Sequence, residues 1–382
     1  MSTSTASDFL VIGAGMAGAA AAAQLAPHGR VTLLEAEDQP GYHTTGRSAA
    51  LFSEMYGNAL IRGLTRASRD FLFAPPEGFA AAPLVTPRAT LYVARADQLA
   101  LLDAFRATPD VAAATERLDA DAARELVPLF APDYLAGAVL EPGSADLDVH
   151  GLHQGWLRRL RAAGGLLQLA ARVEALQQAA GRWTAHTRAG SFSAPVLVNA
   201  AGAWADEVAA LAGLRPLGLR PLRRTALLID VPDGLDARAW PAAIDIAEQF
   251  YFKPDAGLLL LSPADETESP PCVARPEELD VALAVDRFER ATGRSVRRIG
   301  RQWAGLRVFA PDRSPVIGFD ADAPGFFWLA GPGGYGIQTA PALGAVTAAL
   351  ACGQGLPGPI AAAGVSAEAL SPMRTALQRR AG

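Results

Sequence analysis

Residues 9–35 read FLVIGAGMAGAAAAAQLAPHGRVTLLE. An apolar run leads into a tight turn at Gly13 and Gly15, a small-residue segment opens near Gly18, and a second apolar run ends at Glu35. This order predicts strand, turn, helix and strand, which together form a βαβ unit. Gly13 permits the turn, Gly15 permits the backbone to approach a pyrophosphate, and Gly18 permits the helix to pack on the strand. The helix N-terminus offers free N–H groups to an anion, and an acid such as Glu35 accepts hydrogen bonds from a ribose. We therefore expect this unit to bind a dinucleotide.

Composition narrows the class of protein. The chain has 382 residues, half of them apolar, and a formal net charge of -5. This length predicts a globular protein of two domains or one large one, and the acidic balance argues against a nucleic-acid partner. Cys272 and Cys352 lie outside any CxxC motif, so we expect no disulfide framework and no zinc site. The first residues, MSTSTASD, lack the basic residues of a signal peptide, and no apolar run reaches the roughly 18 residues that span a bilayer. These features favour a cytoplasmic protein and leave a peripheral membrane contact open.

Periodicity predicts the elements that follow. Helical spacing occupies residues 59–73 and returns at 98–108, and TLYVARA at 90–96 alternates as a strand. Residues 144–165 begin with acids that favour a helix start and end at two glycines. Residues 166–176 alternate as a strand.

Two later segments, 193–213 and 326–350, again read strand, glycine turn and helix, whereas TALLID, QFYFKP and GLLLLSP between 225 and 263 suit an antiparallel sheet. We therefore predict an α/β fold with a discontinuous Rossmann-like nucleotide domain and an α+β substrate domain on a mostly antiparallel sheet. The expected nucleotide-domain ranges are 1–85, 145–214 and 302–382. The expected substrate-domain ranges are 86–144 and 215–301.

Several longer motifs occur in order along the chain. They are PGYHTTGRSAA (40–50), HQG (153–155), LVNAAGAW (197–204), RPLGL (215–219), FYFKPDAG (250–257), WAGLR (303–307) and GGYGIQT (333–339). Through these motifs nearly the whole chain resembles the D-amino-acid oxidase and glycine oxidase superfamily of flavoproteins. Within that superfamily it is most similar to the bacterial D-arginine dehydrogenases.

The resemblance implies FAD as the cofactor, and nothing in the sequence indicates a covalent bond from His43 in the loop after the second strand. The ADP half is expected at Gly13, Gly15, Gly18, Glu35 and Ala36. The pyrophosphate, ribityl chain and ring are expected along Thr44, Thr45, Arg47 and Ser48. A backbone contact to adenine is expected at Val173, and Ala201 and Gly202 are expected to form the turn beneath the flavin. The C-terminal turn comprises Gly333, Gly334, Gly336, Ile337 and Gln338. A helix is expected to begin near residue 337, and its N-terminus is expected to stabilise negative charge at flavin N1 and C2=O.

The resemblance also implies a substrate site. Arg307 is expected to bind a carboxylate as a bidentate fork, with Tyr251 as a hydrogen-bonding phenol. Tyr56 lies on a loop expected to be mobile, and the Gly334 carbonyl is expected to hold the amine. Arg223 and Arg224 would point to opposite faces of a strand, and the match favours Arg224.

Two departures from the D-arginine dehydrogenases change the expected substrate. Thr90 replaces their glutamate, which pairs with a basic side chain, while Leu51 and Ser53 replace a histidine and a threonine. A neutral threonine cannot compensate the desolvation of a guanidinium, so neutral or apolar side chains are favoured over arginine or lysine. Glu54 stays open as a substitute acid.

His150 and His153 lie three residues apart beside Asp146 and Asp148, a spacing that could suggest metal ligands. Because they fall at a predicted helix start and no further ligand cluster follows, we expect no metal site.

These features together predict an FAD-dependent dehydrogenase that converts free D-amino acids to 2-oxo acids and ammonia by hydride transfer to flavin N5. The expected electron acceptor is a quinone or another acceptor besides oxygen. Three alternatives stay open: a D-arginine or D-lysine dehydrogenase that uses Glu54, an enzyme for 2-hydroxy acids or secondary amines such as sarcosine, and a protein that holds FAD without catalysis.

Overall fold

The structure, a computed structural model, describes residues 5–378. Its strands, in chain order, are β1 Thr5–Ala6, β2 Phe9–Ile12, β3 Val31–Leu34, β4 Leu51–Phe52, β5 Val85–Pro87, β6 Thr90–Ala94, β7 Glu116–Leu118, β8 Gly137–Glu141, β9 Ala145–Leu147, β10 Leu166–Gln168, β11 Val173–Ala179, β12 Arg182–Thr187, β13 Gly190–Ala194, β14 Val196–Asn199, β15 Arg220–Ile229, β16 Ala242–Asp245, β17 Tyr251–Asp255, β18 Leu258–Ser262, β19 Thr267–Glu268, β20 Ile299–Phe309, β21 Val316–Phe319, β22 Phe326–Ala330 and β23 Pro332–Gly333. Its α-helices are α1 Met16–Leu25, α2 Ala59–Phe73, α3 Leu99–Arg106, α4 Pro109–Ala114, α5 Ala120–Leu126, α6 Val149–Ala162, α7 Ala205–Leu211, α8 Glu278–Thr292, α9 Ala340–Ala351, α10 Gly358–Ala362, α11 Ala367–Leu370 and α12 Thr375–Gln378.

A six-stranded sheet in the order β10-β3-β2-β14-β22-β21 forms the first layer, and its strands are parallel except β21. Of its inner strands, β2 and β22 are apolar throughout because both faces are buried. One face packs on α1, α6 and α9. Small residues let α1 and α9 approach closely, since a Cβ on Gly344 would lie 2.9 Å from the backbone of Ala20.

The other face of this sheet is covered by a second sheet in the order β1-β13-β12-β11. Trp183 and Phe192 of that sheet pack with Leu10 and Leu197. The prediction of one strand over 166–176 is therefore wrong, because β10 and β11 belong to different sheets. The chain changes sheets at Ala170, where φ is +50°.

A ten-stranded sheet forms the other half of the molecule, in the order β23-β20-β15-β18-β17-β16-β6-β8-β7, with β19 paired to β15. Its pairs are antiparallel apart from β6 with β16. Phe252 of β17 and Phe288 of α8 belong to the core beneath it. The predicted fold class, a Rossmann-like domain with a mostly antiparallel substrate sheet, is confirmed.

The division into domain ranges stays a prediction. Residues 299–309, which it assigns partly to each domain, form the single strand β20 and pair with β15 along their length. A three-stranded sheet in the order β4-β9-β5 contains the residues at which the predicted ranges change, near 85 and 145. No helix within residues 5–378 is long and apolar enough to cross a bilayer.

Candidate active site

One continuous cavity begins at the carboxyl edge of the parallel sheet and ends against the ten-stranded sheet. Open α/β sheets bind ligands at this edge. Of the site residues predicted from sequence, Gly18 and Thr90 lie outside the cavity wall. The others line it: Gly13, Gly15, Glu35, Ala36, Thr44, Thr45, Arg47, Ser48, Leu51, Ser53, Tyr56, Val173, Ala201, Gly202, Arg224, Tyr251, Arg307, Gly333, Gly334, Gly336, Ile337 and Gln338.

The glycine turn at one end leaves no room for a side chain at Gly13 or Gly18. Gly13 has φ of +102°, and a Cβ there would lie 2.4 Å from the carbonyl oxygen of Ala200. A Cβ on Gly18 would lie 1.9 Å from the carbonyl oxygen of Gly13, so Gly18 acts from behind the wall by letting α1 pack on the turn. Gly15 is less crowded, with Thr45 Oγ1 at 3.4 Å from its Cβ position. These residues fit a pyrophosphate held against backbone N–H groups.

Glu35 lies at the end of β3 and is 9% exposed. Its carboxylate accepts hydrogen bonds from the backbone N–H of Ala14, at 2.9 Å, and of Glu37, at 3.0 Å. Burial raises the pKa of this carboxyl, whereas the backbone hydrogen bonds lower it, and the net direction is upward. The acid thus fastens the glycine turn in addition to facing the expected ribose site, a second role that the sequence motif does not reveal.

The side chains of the polar loop after β3, residues 44–48, form hydrogen bonds with other parts of the protein. Thr45 Oγ1 accepts from the backbone N–H of Met16 at 2.9 Å, and Ser48 Oγ donates to the Thr45 carbonyl at 2.9 Å. Thr44 Oγ1 donates to a carbonyl of β20 at 2.6 Å, and Arg47 donates to another at 3.2 Å. The loop therefore connects the first turn of α1 to the ten-stranded sheet along the cavity wall.

His153, on α6, supports the glycine turn from below. Its buried Nε2 lies 2.9 Å from the Ala14 carbonyl oxygen, which can only accept, so Nε2 carries a proton. Burial lowers the pKa of His153 from its ordinary value of 6.5, although the hydrogen bond to Ala14 opposes this. The histidine is a neutral structural donor. Within residues 5–378 no group of three His, Cys, Asp or Glu side chains is arranged to hold a metal ion, and Cys272 and Cys352 are free thiols.

We expect acid to weaken this support. Because the folded pKa of His153 is lowered, the unfolded chain binds the proton first, so stability is present above pH 6.5 and falls as the pH drops below it toward the folded pKa. FAD retention and melting temperature should fall together in that window. His153→Gln should flatten this dependence, and the exposed His28→Gln should leave it unchanged. An identical pH profile in His153→Gln would refute the assignment.

The C-terminal turn differs from the prediction in one respect. A helix was expected from about Ile337, but α9 begins at Ala340 because residues 336–339 form a turn before it. The side-chain amide of Gln338 makes three hydrogen bonds there. It accepts from the Ser53 N–H and donates to the Ser53 carbonyl, both at 3.1 Å, and donates to Thr65 at 2.8 Å. Gln338 thus fastens the loop that carries Tyr56 against the C-terminal turn.

Arg307 lies at the other end of the cavity and is 8% exposed. Its Nη2 donates to the Tyr56 hydroxyl at 2.9 Å, and its Nη1 lies 3.4 Å from Glu266. Burial would lower the pKa of Arg307, but Tyr56, Tyr335, Glu266 and other nearby groups raise it above its ordinary value, so the guanidinium stays charged. Gly334 permits this packing, because a Cβ there would lie 2.0 Å from Nη2.

The two adjacent arginines of β15 face opposite sides of the sheet. Arg224 lines the cavity, donates to the Asp265 carbonyl at 2.9 Å and lies over the Tyr251 ring at 6.0 Å. Arg223 points away and pairs with Asp280 at 3.0 Å. The structure therefore places Arg224, and not Arg223, beside Arg307.

The substrate-pocket residues divide into two groups. Leu51 and Ser53 line the wall, whereas Thr90 is fully buried and its hydroxyl lies 2.9 Å from that of Ser144, in the turn before β9. The Ser53 hydroxyl donates to Glu141 at 2.7 Å. Glu54 lies outside the wall, with its carboxylate 2.9 Å from Arg69.

Glu141 is a buried acid that sequence reasoning missed. It lies directly opposite Thr90 in the pairing of β6 with β8, and accepts from the Glu54 N–H at 2.9 Å and from Tyr92 at 3.3 Å. Burial raises the pKa of its carboxyl against the lowering effect of these donors. No local motif marks Glu141, since its partners come from distant parts of the chain.

The sequence is similar to those of two characterised enzymes. Mitochondrial dimethylglycine dehydrogenase of Homo sapiens is 28% identical over 160 residues, which cover 41% of this chain and 18% of that enzyme. Glycine oxidase of Geobacillus kaustophilus is 25% identical over 236 residues, which cover 60% of this chain and 59% of the oxidase. The matched part of this chain thus spans less than a fifth of the dehydrogenase.

Two solved structures show the same fold. The crystal structure of glycine oxidase from Geobacillus kaustophilus has a TM-score of 0.79 at 22% identity, covering 92% of this chain and 96% of that one. L-proline dehydrogenase from P. horikoshii has a TM-score of 0.81 at 20% identity, covering 97% and 98%. The family model described as FAD dependent oxidoreductase (DAO) matches residues 8–350. With a glycine cradle and acid that fit an ADP group and a family model that spans most of the sequence, the chain belongs to the FAD dependent oxidoreductase family, and FAD is its cofactor.

Proposed function

We propose that this oxidoreductase deaminates free D-amino acids with neutral or apolar side chains, giving a 2-oxo acid and ammonia. The observation that carries the proposal is the buried guanidinium of Arg307 in the cavity wall. Two of its nitrogens have protein partners at Tyr56 and Glu266, and its remaining N–H groups suit a carboxylate. The charge of Arg224 in the same wall adds to the attraction.

The residues of the chain position the substrate. Arg307 and the Tyr251 phenol hold the carboxylate, and the Gly334 carbonyl accepts from the amine. Bound FAD would supply the acceptor for the hydride that leaves the substrate α-carbon. The amine lone pair then forms the C=N bond of an imino acid, which water hydrolyses. No side chain has to remove a proton if the amine binds neutral, so the protein contributes orientation and charge.

The wall supports a preference for uncharged side chains. Leu51, Ala242 and Ile244 are apolar members of the wall, and Ser53 turns its hydroxyl to Glu141. With Thr90 buried against Ser144 and Glu54 held by Arg69, neither position supplies an anion to a substrate guanidinium.

A second candidate is oxidation of a secondary or N-methylated amine. The matches to dimethylglycine dehydrogenase and L-proline dehydrogenase favour it, since the names of those proteins describe such substrates. A carboxylate clamp serves both substrate classes equally. We also propose, from the family resemblance alone, that a quinone or another acceptor besides oxygen takes the electrons from the reduced flavin.

A panel of substrates tests the proposal. The FAD-loaded protein is mixed anaerobically with D-leucine, D-methionine, D-phenylalanine, D-arginine, L-leucine, sarcosine and L-proline in turn, while the oxidised flavin band is followed. We expect rapid bleaching by the three apolar D-amino acids alone. Bleaching by sarcosine or L-proline alone would establish the second candidate, and bleaching best by D-arginine would require an acid that binds its guanidinium. Repeating the active reactions in air and with a soluble quinone identifies the acceptor.

A further inference from the structure

Lys253, the only lysine in the sequence, lines the same cavity. It lies on β17, where alternate side chains face opposite sides of the sheet. Phe252 packs into the core beneath the sheet, whereas Tyr251 and Lys253 line the cavity. Two residues of strand separate positions by about 7 Å, so Lys253 lies one step beyond the carboxylate-binding phenol.

The ammonium of Lys253 is incompletely bonded. Its Nζ donates to Asp146 Oδ1 at 2.6 Å, and among residues 5–378 this is the only acceptor within hydrogen-bond distance. An ammonium has three N–H groups, so two of them lack a protein acceptor. The side chain is 10% exposed, and the residue is part of the cavity wall.

Charge also favours an acceptor at this position. Asp146 is shared, because Arg88 pairs with its other oxygen and also donates to the Trp240 carbonyl at 2.6 Å. The single carboxylate between two cations leaves one positive charge, and of these residues only Lys253 lines the cavity. Neither of two other acids near the cavity is a hydrogen-bond partner of its Nζ. Glu248 is an exposed residue of the wall, and the backbone of Glu141 lies three strands from that of Lys253, about 14 Å.

We propose that Lys253 is a specificity determinant that binds an oxygen at the end of the substrate side chain. This inference rests on the proposed function and extends its substrate class to side chains that end in an oxygen, including an anionic one. Among D-amino acids, those that end in a carboxamide or carboxylate, such as D-glutamine and D-glutamate, gain a hydrogen bond from the ammonium. Side chains that end in a cation meet repulsion and are excluded.

The first test uses the unaltered holoenzyme and two unreactive inhibitors of equal length, glutarate and pentanoate. Both offer a carboxylate to Arg307, but only glutarate carries a second one. We expect glutarate to compete with the substrate at least about tenfold more tightly, as a charged hydrogen bond provides. Equal inhibition constants, or tighter binding of pentanoate, would overturn the proposal without any mutation.

The second test uses Lys253→Met with D-glutamine, D-glutamate and D-methionine. We expect kcat/KM for the first two to fall by about 10- to 100-fold and that for D-methionine to change less than about threefold. Arg88→Met is the matched control, because it also removes a partner of Asp146 but lies outside the wall. It should lower the melting temperature and, because Asp146 then neutralises Lys253 alone, reduce the advantage of D-glutamate. The ratio of D-glutamine to D-methionine, which depends on the N–H groups of Lys253, should stay unchanged. An equal loss for all three substrates in Lys253→Met would assign Lys253 a structural role only.

The two proposals fail in different ways. If no D-amino acid bleaches the flavin, the proposed function is wrong, whatever the inhibitors show. If D-methionine bleaches the flavin but D-glutamine and D-glutamate gain nothing from Lys253, the specificity proposal alone is wrong. Should Lys253→Met fail to fold, Lys253→Gln keeps a donor of similar length and removes only the charge, so the loss should be confined to D-glutamate.

Discussion

In Arg307→Met, kcat/KM for the best substrate is expected to fall by roughly 10²- to 10³-fold, with FAD still bound. The guanidinium is buried, keeps its charge and has N–H groups free toward the cavity. Removing one partner of a buried charged hydrogen-bonded pair costs about 3–4 kcal/mol, which corresponds to this loss. Most of the loss should be a higher KM, since the carboxylate is bound in the ground state as well.

Arg313→Met is the matched control for this variant. Arg313 also pairs with Glu266, at 2.8 Å, and lies over the Phe309 ring, but its side chain is 47% exposed and outside the cavity wall. Steady-state kinetics should therefore change little in Arg313→Met. FAD content, read from the ratio of flavin to protein absorbance, should match the unaltered protein in both variants. An Arg307→Met enzyme with normal KM would remove Arg307 from the carboxylate site.

Gly13→Ala is expected to abolish FAD binding. Its Cβ would lie 2.4 Å from the Ala200 carbonyl oxygen, and φ of +102° is strained for any residue with a Cβ. Both strands at the turn are buried parallel strands, so neither backbone can move away cheaply. We expect a colourless or aggregated protein in place of a yellow one.

Gly15→Ala provides the comparison within the same turn. The nearest atom to its Cβ position is Thr45 Oγ1 at 3.4 Å, the end of a side chain that can rotate. This variant should keep a stable fold and weaken FAD only moderately, by a shift in the dissociation constant measured by titration into the apoprotein. Full flavin occupancy in Gly13→Ala would contradict the close approach of the turn to Ala200.

The parts of the site that sequence predicted are those with a local signature. Gly13 and Glu35 are separated by one helix, and the physical demands of a tight turn and a ribose acceptor fix their types. Helix α2 begins and ends where the apolar spacing of residues 59–73 indicated. Arg224 was separated from Arg223 by strand alternation and the family match together, because alternation alone cannot say which face meets the cavity.

The features of the site that the sequence did not predict depend on contacts between residues far apart in the chain. Thr90 was assigned to the pocket by its position in a motif, but it is fully buried and its hydroxyl bonds to Ser144, more than fifty residues later in the turn before β9. Glu141 lies opposite Thr90 because β6 and β8 pair in one register, and the loop after β4 brings Ser53 to it from a distant part of the chain. The free N–H groups of Lys253 follow from how Asp146 is shared with Arg88, which no spacing in the sequence encodes.

The interrupted order of the parallel sheet has a consequence for synthesis on the ribosome. Strand β2 emerges early, yet β22 and α9, which complete its sheet and cover α1, come from residues 326–351. Until those residues emerge, the alanine face of α1 lacks one of the helices that shield it from water. Folding of the nucleotide half must therefore wait for residues 326–351, and until then the nascent chain exposes apolar surface to water.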